Sequence, residues 1–157
     1  MLSQKSRYAL RALAVLAEHD EPSPLTIQEI AARADAPRKF LEAILLELRK
    51  DGVLVSVRGK LGGYALAAPA GEIKLSRIIR ALDGPLAPIA CASLFFYQPC
   101  ADCPDPATCT TRGVMREVRD AVNKVLDGRT IADLTADRAG ARKAPRRSVK
   151  VPKRQSR

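Results

Sequence analysis

A chain of 157 residues, 46% hydrophobic and 28% charged, suffices for one compact core plus an extension and is too short for two enzymatic domains. No apolar run reaches the roughly 18 residues needed to cross a bilayer, and no cleavage site follows Lys5 and Arg7, so a cytoplasmic protein without a membrane partner is expected. The net charge of +10 is unevenly placed, since nine of the 27 Lys and Arg and none of the 17 acids fall in residues 138–157, leaving the remainder nearly neutral.

In chain order, Ser3 to Ala17 form the first predicted helix, with Leu10, Leu13, Ala14 and Ala17 on one stripe, Arg7 and Arg11 off it, and Tyr8 read as a core residue in preference to one facing a partner subunit. His19, the single histidine, follows in an acidic turn and is read as a solvated surface residue. Thr26 and Glu29 then have the spacing of a capping box, and Leu25 and Ile30 that of a hydrophobic staple, so a short helix begins at Ile27. Ala34 to Ala36 make a brief connection to Pro37, which suits a first helical turn. In the next helix Leu41, Ile44, Leu45 and Leu48 repeat at three and four residues, leaving Arg38, Lys39, Glu42, Ala43 and Arg49 on the opposite side. Two short helices joined by a tight turn make a helix-turn-helix.

Val53 to Val57 and Tyr64 to Ala67 read as the strands of a hairpin, joined by a tip with Arg58, Lys60 and three glycines. Gly59, Gly62 and Gly63 are expected to turn the backbone at positive φ and let it approach a surface closely. A cationic hairpin after a helix-turn-helix is a wing, and its natural counterpart is a DNA backbone.

These residues resemble the Rrf (type two) family of bacterial winged helix-turn-helix regulators, to which IscR and NsrR belong, over about Leu2 to Leu134. The resemblance is carried by Ser6-Arg7-Tyr8-Ala9-Leu10, Phe40-Leu41-Glu42, Leu48-Arg49-Lys50-Asp51-Gly52, and Val57-Arg58-Gly59 through Gly62-Gly63-Tyr64. It implies a homodimer on double-stranded DNA, with the second helix in the major groove and the wing arginine in the minor groove. The DNA-contacting candidates are Arg38, Lys39, Phe40, Glu42, Ala43, Arg58, Gly59 and Lys60. Arg38 and Lys39 can donate to guanine or hold phosphate, Glu42 can accept from cytosine, and Ala43 offers only a methyl contact. Relatives often carry a polar residue where Ala43 stands, so the operator sequence is not legible.

Leu75, Ile78, Ile79 and Leu82 mark a further amphipathic helix, stopped at Asp83-Gly84-Pro85. A proline-broken loop follows, holding Cys91, Cys100, Cys103 and Cys109 in the spacing C-x8-C-x2-C-x5-C. Four soft thiolates suit an iron–sulfur cluster or zinc, and a metal-free thiol switch is the other reading. The resemblance favours a cluster, because cluster-binding members carry three cysteines here, the last two spaced as Cys103 and Cys109 are. Where some relatives place a histidine ligand this chain has Arg112, and Ser6-Arg7-Tyr8 supplies no acid or histidine ligand, so Cys100 is the natural fourth donor to a 2Fe-2S or 4Fe-4S cluster. A Cys-x-x-Cys pair among prolines lacks the strand-to-helix context of a thiol oxidoreductase, and neither a phosphate loop nor paired carboxylates stand out, so neither an enzyme nor a small-molecule substrate is expected. A protein-binding winged helix without DNA activity is the remaining alternative.

Thr111 to Leu126 predict a long helix with Val114, Val118, Ala121, Val122 and Val125 on a seam of coiled-coil type, read as a dimer interface. The expected architecture is thus mainly α with a small β-hairpin: a winged helix-turn-helix at 1–84, a cysteine loop at 85–110, a dimerisation helix and C-terminal helix at 111–137, and a disordered basic tail at 138–157.

Overall fold

A computed structural model describes residues 2–19, 23–59, 62–103 and 105–141. Helix α1, Gln4–Ala17, starts where the Ser3 side chain accepts from the Ser6 backbone N–H at 3.0 Å. It buries more than the predicted stripe: Ala9, Ala12, Leu13, Ala14, Val15 and Leu16 are all enclosed, because the other helices wrap its second half, whereas Leu10 and Ala17 are half-buried. His19, at the end of this helix, is half-buried rather than solvated, with Nε2 2.9 Å from the Ser23 carbonyl oxygen.

Helix α2, Ile27–Ala34, begins at the expected capping box, in which the Thr26 backbone N–H donates to Glu29 Oε2 at 2.8 Å and the Glu29 N–H returns to Thr26 Oγ1 at 3.4 Å. It ends at Asp35, whose φ of 48° makes it the one described non-glycine residue in the left-handed region. Helix α3, Arg38–Lys50, follows with Pro37 as its N-cap and buries Leu41, Ile44, Leu45 and Leu48, the periodic set. Each leucine buried there contributes about 1.5–3 kcal/mol. Helix α3 is also braced from outside, since Lys5 of α1 pairs with Glu47 at 2.7 Å and donates to the Leu82 carbonyl at 3.2 Å.

Strands β1, Leu54–Val57, and β2, Gly63–Leu66, pair antiparallel from Leu54↔Leu66 to Val57↔Gly63. A bridge between Leu25 and Tyr64 ties this hairpin to the chain entering α2. Of the wing glycines read as positive-φ positions, only Gly59 has that conformation, at φ 122°. Gly62 and Gly63 serve another need: a Cβ on Gly62 would strike the Val57 carbonyl oxygen, and one on Gly63 the Leu25 carbonyl. Their close approach is to their own chain.

Helix α4, Leu75–Asp83, packs on α1 and α3. Asp83 receives both the backbone N–H and the hydroxyl of Ser3, closing the end of α4 onto the start of α1. The proline-rich segment is not wholly irregular, because Ala90–Ala92 form one 3-10 turn. Helix α5, Thr110–Asp127, follows, and α6, Ile131–Ala141, returns to pack on α1 with Ile131 wholly buried in the main core. Helix α6 runs to Ala141, and the rest of the basic tail expected over 138–157 lies outside the described residues. Among the described residues no helix is long and apolar enough to cross a membrane.

Candidate nucleic-acid interface and cysteine site

The burial of Leu41, Ile44, Leu45 and Leu48 turns the opposite face of α3 outward, so Arg38, Lys39, Phe40, Glu42 and Ala43 are all exposed on one surface. Arg38 Nε donates to Glu42 Oε1 at 3.1 Å, one helical turn on. Phe40 is 62% exposed, and its ring lies 6.2 Å from that of Tyr8, whose ring centre is also 5.0 Å from the Arg11 guanidinium. Tyr8 is thus half-buried, joining the core to the recognition face. Arg11 also pairs with Asp35 at 3.6 Å, fastening the turn of the helix-turn-helix to α1.

In the wing, Arg58 and Gly59 are exposed, and Arg58 makes no ion pair among the described residues. Lys60 lies outside the described residues. Arg49, near the end of α3, donates to Ser56 Oγ at 3.2 Å and so fixes the angle between α3 and the wing.

The four cysteines line one open cavity of about 430 Å³, together with Ile89, Asp102, Asp105 and Thr108. Cys91 is buried in the 3-10 turn, Cys100 is exposed, and Cys103 and Cys109 are half-buried. The Cys100 thiol is pushed above the ordinary thiol range by its hydrogen bond with the Cys91 thiol, then by desolvation and the other two cysteines. Desolvation, followed by the charge and hydrogen bond of Cys109, raises Cys103 in the same direction. Among the described residues no three such groups stand at metal-ligand distances from a common point. The chemistry of the donor set nonetheless suits a thiophilic metal group: four thiols lining one cavity are soft donors, which would bind such a group as thiolates and give up their protons to solvent.

Two arginines of α5 were not legible as site residues. Arg112 Nε donates to the Cys91 carbonyl at 2.9 Å and Nη1 to the Pro106 carbonyl at 3.2 Å, with its guanidinium 5.7 Å from the centre of the Tyr97 ring. Arg119, only 6% exposed, donates through Nη1 to the Ala92 carbonyl and pairs with Asp120 at 2.7 Å. Beside the face that carries these arginines, α5 leaves Val114, Val118, Val122 and Val125 exposed.

A sequence model of the Rrf2 family, described as an iron-dependent transcriptional regulator, matches residues 2–137. The chain belongs to the Rrf2 family. An rrf2-like regulator of the helix-turn-helix type from Rhodobacter capsulatus is 46% identical over 139 residues, covering 87% of this chain and 93% of the relative. The transcriptional regulator IscR of Vibrio atlanticus is 32% identical over 136 residues, covering 87% of this chain and 75% of that protein. Among solved structures, CymR of B. subtilis, the global cysteine regulator, has a TM-score of 0.71 at 32% identity, covering 87% of this chain and 97% of its own. IscR of T. potens also has a TM-score of 0.71, at 31% identity, with 92% and 93% covered.

This Rrf2-family chain is therefore a DNA-binding transcriptional regulator of winged-helix fold rather than an enzyme. The structure gathers Arg38, Lys39, Phe40, Glu42 and Ala43 on one face, sets Arg58 and Gly59 on the wing, and brings Cys91, Cys100, Cys103 and Cys109 to one cavity.

Proposed function

We propose that this regulator acts as a twofold dimer on a palindromic operator and that an iron–sulfur cluster held by Cys91, Cys100, Cys103 and Cys109 adjusts its affinity. The observation that carries the reading is the convergence of four thiols on one cavity directly before a helix with an exposed valine seam. Two copies joined along Val114, Val118, Ala121, Val122 and Val125 would present two α3 helices to successive half-sites. On each half-site Arg38 and Lys39 supply guanine or phosphate contacts, Glu42 selects cytosine, Phe40 and Ala43 offer apolar contact, and Arg58 beside Gly59 and Lys60 enters the minor groove. A cluster, 2Fe-2S or 4Fe-4S, would supply a centre labile to iron supply, oxidation or nitrosylation.

A metal-free thiol switch is the second reading, favoured by the contacts of Cys100 with Cys91 and of Cys103 with Cys109, and by the likeness to a cysteine regulator. The test is the visible spectrum, iron and acid-labile sulfide of protein isolated without oxygen. Matched iron and sulfide with charge-transfer absorption support the cluster. A colourless protein containing zinc, or no metal after attempted reconstitution, refutes it. Selection of bound fragments from random DNA by the same preparation yields the operator, and failure to enrich any sequence at low salt refutes DNA regulation.

A further inference from the structure

We propose that Arg112 and Arg119 are positioning residues that clasp the Cys91 turn to α5 and make the cysteine site and the valine seam a single mechanical unit. The claim rests on the Cys91–Cys109 cavity being the sensing site, and it names the means by which that site would reach the dimer helix.

The two arginines lie roughly two turns apart and so share one face of α5, while the exposed valines form a stripe beside that face. Arg112 joins two parts of the loop with one guanidinium, donating to the carbonyl of Cys91 on one side and of Pro106 on the other. Its backbone N–H also donates to Cys109 Sγ at 3.4 Å, so a single residue touches the first cysteine's main chain and the last cysteine's sulfur. Arg119 holds the next carbonyl, that of Ala92, from a buried position. A buried guanidinium is costly unless its donors are satisfied, and the chain satisfies this one with a loop carbonyl and the exposed carboxylate of Asp120. The planar fork matters in both cases: a lysine ammonium would not reach in fixed directions both the Cys91 and Pro106 carbonyls held by Arg112, or both the Ala92 carbonyl and the Asp120 carboxylate held by Arg119.

This arrangement explains why the turn carrying Cys91 is ordered and buried although the surrounding sequence has no helical period. Any change that displaces Cys91 must break or drag contacts anchored on α5. Movement of the loop is thereby converted into movement of the helix whose outer face would meet the second copy.

The test uses the full-length protein with Arg119→Met, which fills the buried volume without donors, and Arg112→Gln and Arg112→Lys, which are milder and more exposed. The first readout is the rate at which Cys91 reacts with a maleimide in reduced, metal-free protein, mapped by mass spectrometry and set against its rate in urea-unfolded protein. Arg119→Met and Arg112→Gln should raise the Cys91 rate about tenfold or more while leaving it below the unfolded rate, and Arg112→Lys should not restore protection. The second readout is the ratio of operator affinities of cluster-loaded and metal-free protein, which should fall toward one in the clasp variants while the affinity of the metal-free form is retained. An unchanged Cys91 rate in both Arg119→Met and Arg112→Gln overturns the clasp. Equal labelling of all cysteines with loss of helical circular dichroism would mean these residues hold the fold at large, which also overturns it. If Cys91 is exposed by the variants but the wild-type protein shows no affinity difference between its two forms, the sensing role of the cavity fails while the clasp itself stands.

Discussion

Arg38 and Glu42, both on the outward face of α3, form an ion pair with each other at 3.1 Å, so the strongest donor and the only carboxylate of the candidate reading surface are mutually engaged in the free protein. Both side chains are more than half exposed, at 56% and 53%, and an exposed pair at this spacing adds only about 0.3–0.5 kcal/mol to stability. DNA can therefore take Arg38 from Glu42 at little expense. Replacing Glu42 with Ala should leave stability within about 0.5 kcal/mol and free Arg38 from its tether. Binding to unrelated DNA should strengthen while preference for the selected operator weakens, by about 1–3 kcal/mol if Glu42 reads a cytosine. Competition binding against scrambled duplex measures both effects.

Gly63 and Gly59 should respond differently to the same change. A Cβ at Gly63 meets the Leu25 carbonyl, where Tyr64 N donates to Leu25 O at 2.8 Å, so Gly63→Ala must break the tie between the wing and the entry to α2. At Gly59 no described residue lies within 4 Å of an added Cβ, and the φ of 122° opposes it. Gly59→Ala should cost roughly 1–3 kcal/mol as backbone strain, and Gly63→Ala more, because steric overlap is added to a lost pair of hydrogen bonds. Urea denaturation of the two variants orders them.

The contrast between these glycines shows where the sequence was legible. Thr26 with Glu29 and the leucines of α3 are local patterns, whose partners stand within a turn or two, and the structure matches them residue for residue. The Gly63 requirement comes from the Leu25 carbonyl, which no spacing rule connects to the wing. Arg119 is a sharper case: a charged residue on a helix with an apolar seam reads as solvated, and its burial depends on a carbonyl in a loop without periodicity. Ile131 likewise belongs to the main core only because α6 folds back onto α1. The cysteine cavity was half legible, since spacing implied convergence but not that Cys91 alone would be enclosed.

Acid should loosen the starts of α2 and α6 in the same pH range. The hydroxyl and backbone N–H of Thr26 hold the Glu29 carboxyl below its usual range, and the backbone N–H and hydroxyl of Thr130 do the same for Asp133. Groups with lowered folded-state values stabilise fully above the unfolded carboxylate range near pH 4 and lose that contribution as pH falls through the lower folded value. Thermal melts from pH 7 to pH 3 should therefore show stability lost mainly below about pH 4, and Thr26→Val should flatten part of that loss. An unchanged acid profile in this variant would remove the α2 capping box from the account.

Val118 and Val122, 41% and 39% exposed in the single chain, lie at the middle of the proposed dimer seam. Val118→Asp would place an unpaired carboxylate in a desolvated interface, and dimer affinity should fall more than about hundredfold. Sedimentation equilibrium should then report monomer, with operator affinity falling in parallel as the two half-sites cease to be bound together. A stable dimer carrying Val118→Asp would place the interface elsewhere.

The central claim is that the state of the cysteine site sets the affinity for DNA. The most direct measurement is the affinity of one preparation for its selected operator, taken without oxygen with the cluster loaded and again after its removal by a chelator and reductant. Coupling of typical size, about 1–3 kcal/mol, predicts that the two forms differ by roughly five-fold or more. Equal affinities, with iron and sulfide content confirming the two states, would contradict it.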